Sequence, residues 1–145
     1  MRIITKNSEE TKEFGRKLAK KLKPCSVIAL FGGLGSGKTV LTKGIADGLG
    51  IKKAAVISPT FVLLREYASG KVKLYHFDLY RIKKTDILSL GIDEYLYGDG
   101  ISVVEWAERI EDYLPRDCMK IEISVLGENK RLINVKMRQI KSQAR

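Results

Sequence analysis

Histidine and cysteine are scarce in this chain, and that scarcity closes off several chemistries. His76 is the only histidine, so mechanisms built on a histidine pair are excluded and a zinc site is disfavoured. Cys25 and Cys118 lie far apart with no C-x-x-C or Cys/His spacing, which argues against a disulfide framework and for reduced thiols in a cytoplasmic protein. The N-terminus has no apolar core of the signal-peptide kind, and no run is long and apolar enough to span a bilayer. Internal repeats, low-complexity stretches and linkers are also missing. At 145 residues the chain reads as one soluble α/β domain over residues 1–145, with 139–145 a frayed tail and no room for a second catalytic module.

Acidic residues are the minority. Seventeen Asp and Glu against 27 Lys and Arg give a net charge of +10, which suits an anionic partner such as nucleic acid or an acidic protein surface. The lysines at 17, 20, 21 and 23 and the basic residues Lys136, Arg138, Lys141 and Arg145 serve equally well as solvated faces. There is no RNA-recognition aromatic motif, and no N-K-x-D pattern to read guanine, since Asn129-Lys130-Arg131-Leu132 lacks the carboxylate.

What the chain does have is Gly32-Gly33-Leu34-Gly35-Ser36-Gly37-Lys38-Thr39, which fits the phosphate-loop pattern G-x-x-x-x-G-K-[ST] directly after the apolar run Val27–Phe31. Glycine lets successive backbone N–H groups turn inward around phosphate oxygens. Lys38 adds a point charge at the β- and γ-phosphates, Thr39 a hydroxyl for Mg²⁺, and the helix that follows turns its positive end toward the anion. Nucleoside triphosphate binding is the reading these residues favour.

The remaining elements follow from period and punctuation. Asn7 or Ser8 caps a first helix with Phe14, Leu18 and Leu22 on one face, and Pro24 stops it. A buried strand is expected over Cys25–Phe31, then the loop and its helix, closed by Gly48 and Gly50. Phe61–Tyr67 and Val72–Tyr80 read as a hairpin around Ser69-Gly70. Thr85–Tyr97 is helix-compatible but broken by Gly91; Ile101–Val104 is a short apolar strand. A short helix through Ile110 precedes Pro115, and two strands, Met119–Leu126 and Arg131–Met137, flank Gly127-Glu128-Asn129. The pattern predicts a P-loop NTPase-like three-layer α/β domain whose mostly parallel central sheet carries an added β-hairpin.

Two predicted strands end in a carboxylate, Glu105 after Ile101–Val104 and Asp78 after Leu74–Phe77, and strand ends are where an open parallel sheet collects its ligands. Glu105 is assigned to the metal and Asp78 to the attacking water. Thr60, in the loop Ser58-Pro59-Thr60, is a candidate contact for the γ-phosphate or its magnesium. Trp106 either packs in the core or stacks on a base. Arg81 and Arg109 are available to neutralise transition-state charge, and a partner could supply an arginine instead.

Gly32–Thr39, Ser58-Pro59-Thr60-Phe61, His76-Phe77-Asp78-Leu79-Tyr80-Arg81 and Val104-Glu105-Trp106, in this order and separation, resemble the bacterial threonylcarbamoyladenosine biosynthesis family TsaE, also called YjeE. The likeness runs from the first helix to the final strands. It implies a small ATPase that binds ATP with Mg²⁺ and assists TsaB and TsaD in placing threonylcarbamoyl on adenosine 37 of tRNAs reading codons that begin with A. By that resemblance Lys38 and Thr39 serve phosphates and metal, Glu105 the metal, and Asp78 hydrolysis. Thr60 then belongs to a switch-like loop and Trp106 lies beside the nucleotide. Where the family often has an acidic residue this chain has Gly33, which bears on turnover more than on binding.

Two other functions use the same residues. A small-molecule kinase would need an acceptor pocket and a lid, for which Arg81–Lys84 is a thin candidate. An RNA-gripping module without chemistry would draw on the net charge.

Overall fold

The apolar run ahead of the glycine loop becomes the middle of a sheet. In the computed structural model, which describes residues 1–52, 64–69, 72–87, 89 and 91–137, seven strands form one mixed sheet. They are β1 (Arg2–Thr5), β2 (Val27–Phe31), β3 (Leu64–Ser69), β4 (Val72–Asp78), β5 (Ile101–Glu105), β6 (Met119–Val125) and β7 (Arg131–Met137), in the spatial order β1-β7-β6-β2-β5-β4-β3. The inner four, β6-β2-β5-β4, run parallel, and antiparallel partners extend both edges. One of these is the expected hairpin, β3 against β4; the second, β6 against β7, turns around residues 126–130. Thr60, its loop and the start predicted for the first hairpin strand lie outside the described residues, as does the tail 139–145.

Strand alternation sorts the side chains into two cores. Ile28, Leu30, Leu74, Ile101 and Val103 face helices α1 (Ser8–Ala19) and α2 (Lys38–Gly48) through Phe14, Leu18, Leu41 and Ile45. Val27, Ala29, Phe77 and Val104 point the other way, against α3 (Lys84–Ile87), α4 (Ile92–Leu96) and the 3₁₀ segment Ala107–Tyr113. The result is the three-layer α/β architecture that the pattern predicts. Gly91, at φ 65°, separates α3 from α4, as the break in that segment implied.

Strand ends shift by one or two residues, with β4 closing at Asp78 and β3 running on to Ser69, and two boundaries that differ from the expectation have a clear local cause. The first helix loses its α-helical bonding at Ala19 rather than at Pro24, because Lys21 and Leu22 bond back to Leu18 and Ala19 in the tighter i−3 pattern. The strand expected from Cys25 starts at Val27, because Cys25 sits in the left-handed region at φ 74° and gives its N–H to the Gly100 carbonyl.

Helix α1 starts at Asn7, whose side chain accepts the Glu10 N–H at 2.8 Å, while the Glu10 carboxylate accepts from the Lys6 N–H at 3.0 Å. It packs backbone to backbone on α2. A Cβ added to Gly44 would run into the Lys12 carbonyl oxygen, and one on Gly15 would lie 2.7 Å from that of Leu41. Arg16 adds a tie across the same contact, its Nε donating to Asp47 at 2.5 Å.

Candidate phosphate and metal site

The glycine loop leaves β2 at Phe31 and enters α2 at Lys38, so it crosses the carboxyl end of the central parallel strand. Gly37, at φ 109°, makes the turn that a residue with a side chain resists. A Cβ on Gly32 would meet the Ser36 Oγ at 2.6 Å and the Ile123 carbonyl at 2.8 Å, so that glycine permits β6 to approach the loop. Its N-cap residue, Gly37, has no side chain to cap α2, and no acidic residue stands in the first turn. Its leading N–H groups and positive dipole end are therefore offered to an anion. The Ser36 hydroxyl, buried within the loop, has no hydrogen-bond partner.

Lys38 is only 5% exposed and folds back on its own loop. Its ammonium donates to the carbonyls of Gly32 at 2.5 Å and Gly33 at 2.9 Å, and stands 3.9 Å above the centre of the Trp106 ring. Burial pulls the Lys38 ammonium down from its ordinary value, and the Glu105 carboxylate pulls it back up. The charge is thus held close to where a phosphate would sit, on contacts a phosphate oxygen can replace.

The two strand-end carboxylates are brought together. Parallel pairing of β4 with β5 sets Asp78 opposite Glu105, and both are buried. Glu105 accepts the Thr39 hydroxyl on Oε1 at 2.8 Å, and its Oε2 is hydrogen-bonded to His76 Nε2. Asp78 accepts the Tyr80 N–H on Oδ1 at 3.0 Å. Burial raises the Asp78 carboxyl above its ordinary value; the Tyr80 N–H opposes this and the Glu105 charge adds to it.

Leu34, Gly35, Gly37, Lys38, Thr39, Val40, Asp78, Tyr80, Glu105 and Trp106 line one cavity of about 340 Å³. Trp106 is therefore neither simple core nor remote. It takes left-handed backbone at φ 61°, sits with its ring 4.9 Å from that of Tyr80, and forms a wall beside Lys38. Arg109 is turned to the Tyr80 carbonyl at 3.3 Å. A larger groove of about 640 Å³ lies at the opposite end of the sheet, where β2 and β6 begin, and no phosphate-loop residue lines it.

Two residues that sequence reasoning did not assign support the site. Arg131 spans from the β6–β7 turn to the loop: Nε donates to the Ser36 carbonyl at 3.0 Å, Nη2 to that of Gly35 at 3.2 Å, and Nη1 to those of Gly127 and Lys130 at 2.9 and 3.0 Å. His76 is the second, and a signal for it was present. It stands two residues before Asp78 on one strand, so alternation puts both on the face that carries Glu105.

Among the described residues no group of three or more His, Cys, Asp and Glu side chains could hold a metal alone. The Thr39 and Glu105 oxygens nevertheless suit a shared magnesium. Two oxygens at right angles around Mg²⁺, each about 2.1 Å away, stand about 3 Å apart, close to the separation seen here. Mg²⁺ ordinarily takes one or two protein oxygens and completes its shell from phosphates and water.

A glycine loop between a central parallel strand and a helix, with acidic strand ends beside it, defines an α/β protein of the P-loop type. The family model described as threonylcarbamoyl adenosine biosynthesis protein TsaE matches residues 5–133, and the chain belongs to that family. It is 46% identical over 129 residues to the tRNA threonylcarbamoyladenosine biosynthesis protein TsaE of Bacillus subtilis, covering 89% of this chain and 80% of the relative. It is 39% identical over 136 residues to the protein of that name from Treponema pallidum, covering 93% and 99%. A crystal structure of Bacillus subtilis YdiB superposes with a TM-score of 0.81 at 40% identity, covering 96% of this chain and 86% of that one. No helix among the described residues is long and apolar enough to cross a membrane.

Proposed function

We propose that this protein is a Mg²⁺-dependent ATPase of low intrinsic rate. In this reading its turnover resets a complex of TsaB- and TsaD-type proteins that forms threonylcarbamoyladenosine at position 37 of tRNAs reading codons that begin with A. The observation that carries the reading is the Thr39–Glu105 oxygen pair at 2.8 Å, beside Lys38 and with Asp78 next to Glu105 in the sheet. Triphosphate oxygens replace the Gly32 and Gly33 carbonyls as acceptors for Lys38 and take up the leading N–H groups of α2. Thr39 and Glu105 would hold the magnesium, which would supply positive charge to the triphosphate. Asp78, with Oδ1 fixed by Tyr80, uses Oδ2 to orient a water and accept its proton.

The nucleoside extends toward a recess of about 110 Å³ that shares Gly35, Gly37 and Val40 with the main cavity and is closed by Asn7, Thr11 and Asn129. Gly33 offers open space, since a Cβ there meets nothing within 4 Å, so the acidic residue common in the family is missing without being sterically barred. The tRNA is reached through the complex, and the charge of +10 draws it near.

Phosphate release, measured with and without the TsaB- and TsaD-type proteins, tests the reading: a slow basal rate that rises in their presence is expected. Equal rates for wild type and Lys38→Ala under both conditions would overturn it. Arg131 gives a second check. Lysine cannot span the five carbonyls, that of Glu128 included, that the guanidinium fork ties together, so Arg131→Lys is expected to weaken ATP and ADP about tenfold each while the circular dichroism spectrum stays unchanged.

A further inference from the structure

We infer that His76 is a positioning residue, whose Nε2–H holds Glu105 Oε2 so that Oε1 stays turned to Thr39, and that it thereby sets the affinity of the nucleotide site for magnesium. This inference rests on the assignment of Glu105 to the metal.

The chain's single histidine is completely buried, on the face of β4 between Leu74 and Asp78 and opposite Val103 of β5. An aliphatic side chain would fill such a place without removing a polar ring from water. The ring is not there to knit the core either, because Nδ1 has no hydrogen-bond partner. Among the described residues its hydrogen bond is to Glu105. Buried polar groups are nearly always paired, so an imidazole half-satisfied at this depth points to the contact that it does make.

Glu105 is itself only 2% exposed, and a carboxylate so deep needs a donor on each oxygen. Thr39 supplies one and His76 the other. The two contacts differ in kind. The Thr39 hydroxyl can turn its hydrogen away and offer a lone pair to a cation, whereas the completely buried imidazole stays on Oε2. With Oε2 held, the carboxylate cannot rotate when Thr39 changes partner, and Oε1 remains beside the threonine oxygen. Groups that orient a metal ligand in this way commonly contribute about 10- to 100-fold in metal affinity. The same contact calls for a hydrogen on Nε2.

Nucleotide binding followed by Trp106 fluorescence, in EDTA and in Mg²⁺, tests this in the intact protein, with His76→Leu and His76→Gln as the variants. The wild type is expected to bind ATP more tightly in Mg²⁺. In His76→Leu that gain is expected to shrink about 10- to 100-fold, with affinity in EDTA unchanged. His76→Gln keeps a side-chain N–H for Glu105 and is expected to recover most of the gain. A full magnesium gain in His76→Leu, or a loss in His76→Gln as deep as in His76→Leu, would overturn the inference. The underlying assignment is tested separately by Glu105→Gln: if that variant keeps the whole gain, Glu105 does not hold the metal, whatever His76 does. Nitrogen-15 NMR of the wild type needs no variant to fold, and its one histidine gives one pair of signals. A protonated Nε2 is expected, and a bare Nε2 would overturn the inference.

Discussion

Lys38→Ala is expected to abolish the thermal shift that Mg²⁺ and ATP give the wild type. At a ligand concentration a hundredfold above Kd the wild type gains about 2.7 kcal/mol, a rise of about 5–10 °C for a domain of this size. Each charge-assisted hydrogen bond to phosphate is worth about 1.5–3 kcal/mol, so removing the ammonium raises Kd by about two orders of magnitude and leaves almost no shift. The ligand-free variant should still fold. The carbonyls that Lys38 caps belong to the half-buried Gly32 and the exposed Gly33, and water can take its place. The lost charge is moreover one that burial disfavours. Differential scanning fluorimetry with and without nucleotide makes the measurement; equal shifts in the two proteins would show that the loop does not bind through Lys38.

Asp78→Asn is expected to separate binding from chemistry. Removing a positioned base costs about 100- to 10,000-fold in phosphate release, while the asparagine oxygen still accepts the Tyr80 N–H and the nucleotide cradle is untouched. Stability should move the other way. Burial holds the folded-state pKa of Asp78 above its unfolded value, so the contribution of this group to stability is full below the unfolded pKa and is lost as pH rises through the folded one. Asparagine carries no such penalty. The ligand-free variant is therefore expected to melt above the wild type at neutral pH, with the gap closing in acid. For the wild type, phosphate release should fall on the acid side at a pH above the ordinary aspartate range. An Asp78→Asn variant that hydrolyses ATP at the wild-type rate would remove Asp78 from the mechanism.

The parts of this molecule that were readable in advance are those set by neighbours in the chain. Val27–Phe31, the glycines behind it and the helix they open form one local unit, and both hairpins are marked by β-rich runs around short turns. Strand β1 left no such mark. It is short, its burial runs exposed, half-buried, exposed, buried, and its partner β7 lies at the far end of the chain. Glu105 and Asp78 were identifiable as strand ends, but their adjacency depends on a crossover and a register that only the assembled sheet provides. The same register joins His76 to Glu105. Arg131 was hidden for another reason: its partners are backbone carbonyls, which carry no residue identity for a pattern to detect.

The bare contact between α1 and α2 has a mechanical consequence. With main chain pressed on main chain at Gly15 and Gly44, the two helices have no slack there in which to slide past each other. One of them opens at the phosphate loop and the other at Asn7, on the rim proposed for the nucleoside. Both grips on the ligand therefore sit on one close-packed helix pair, while Asp78 reaches the same cleft from β4.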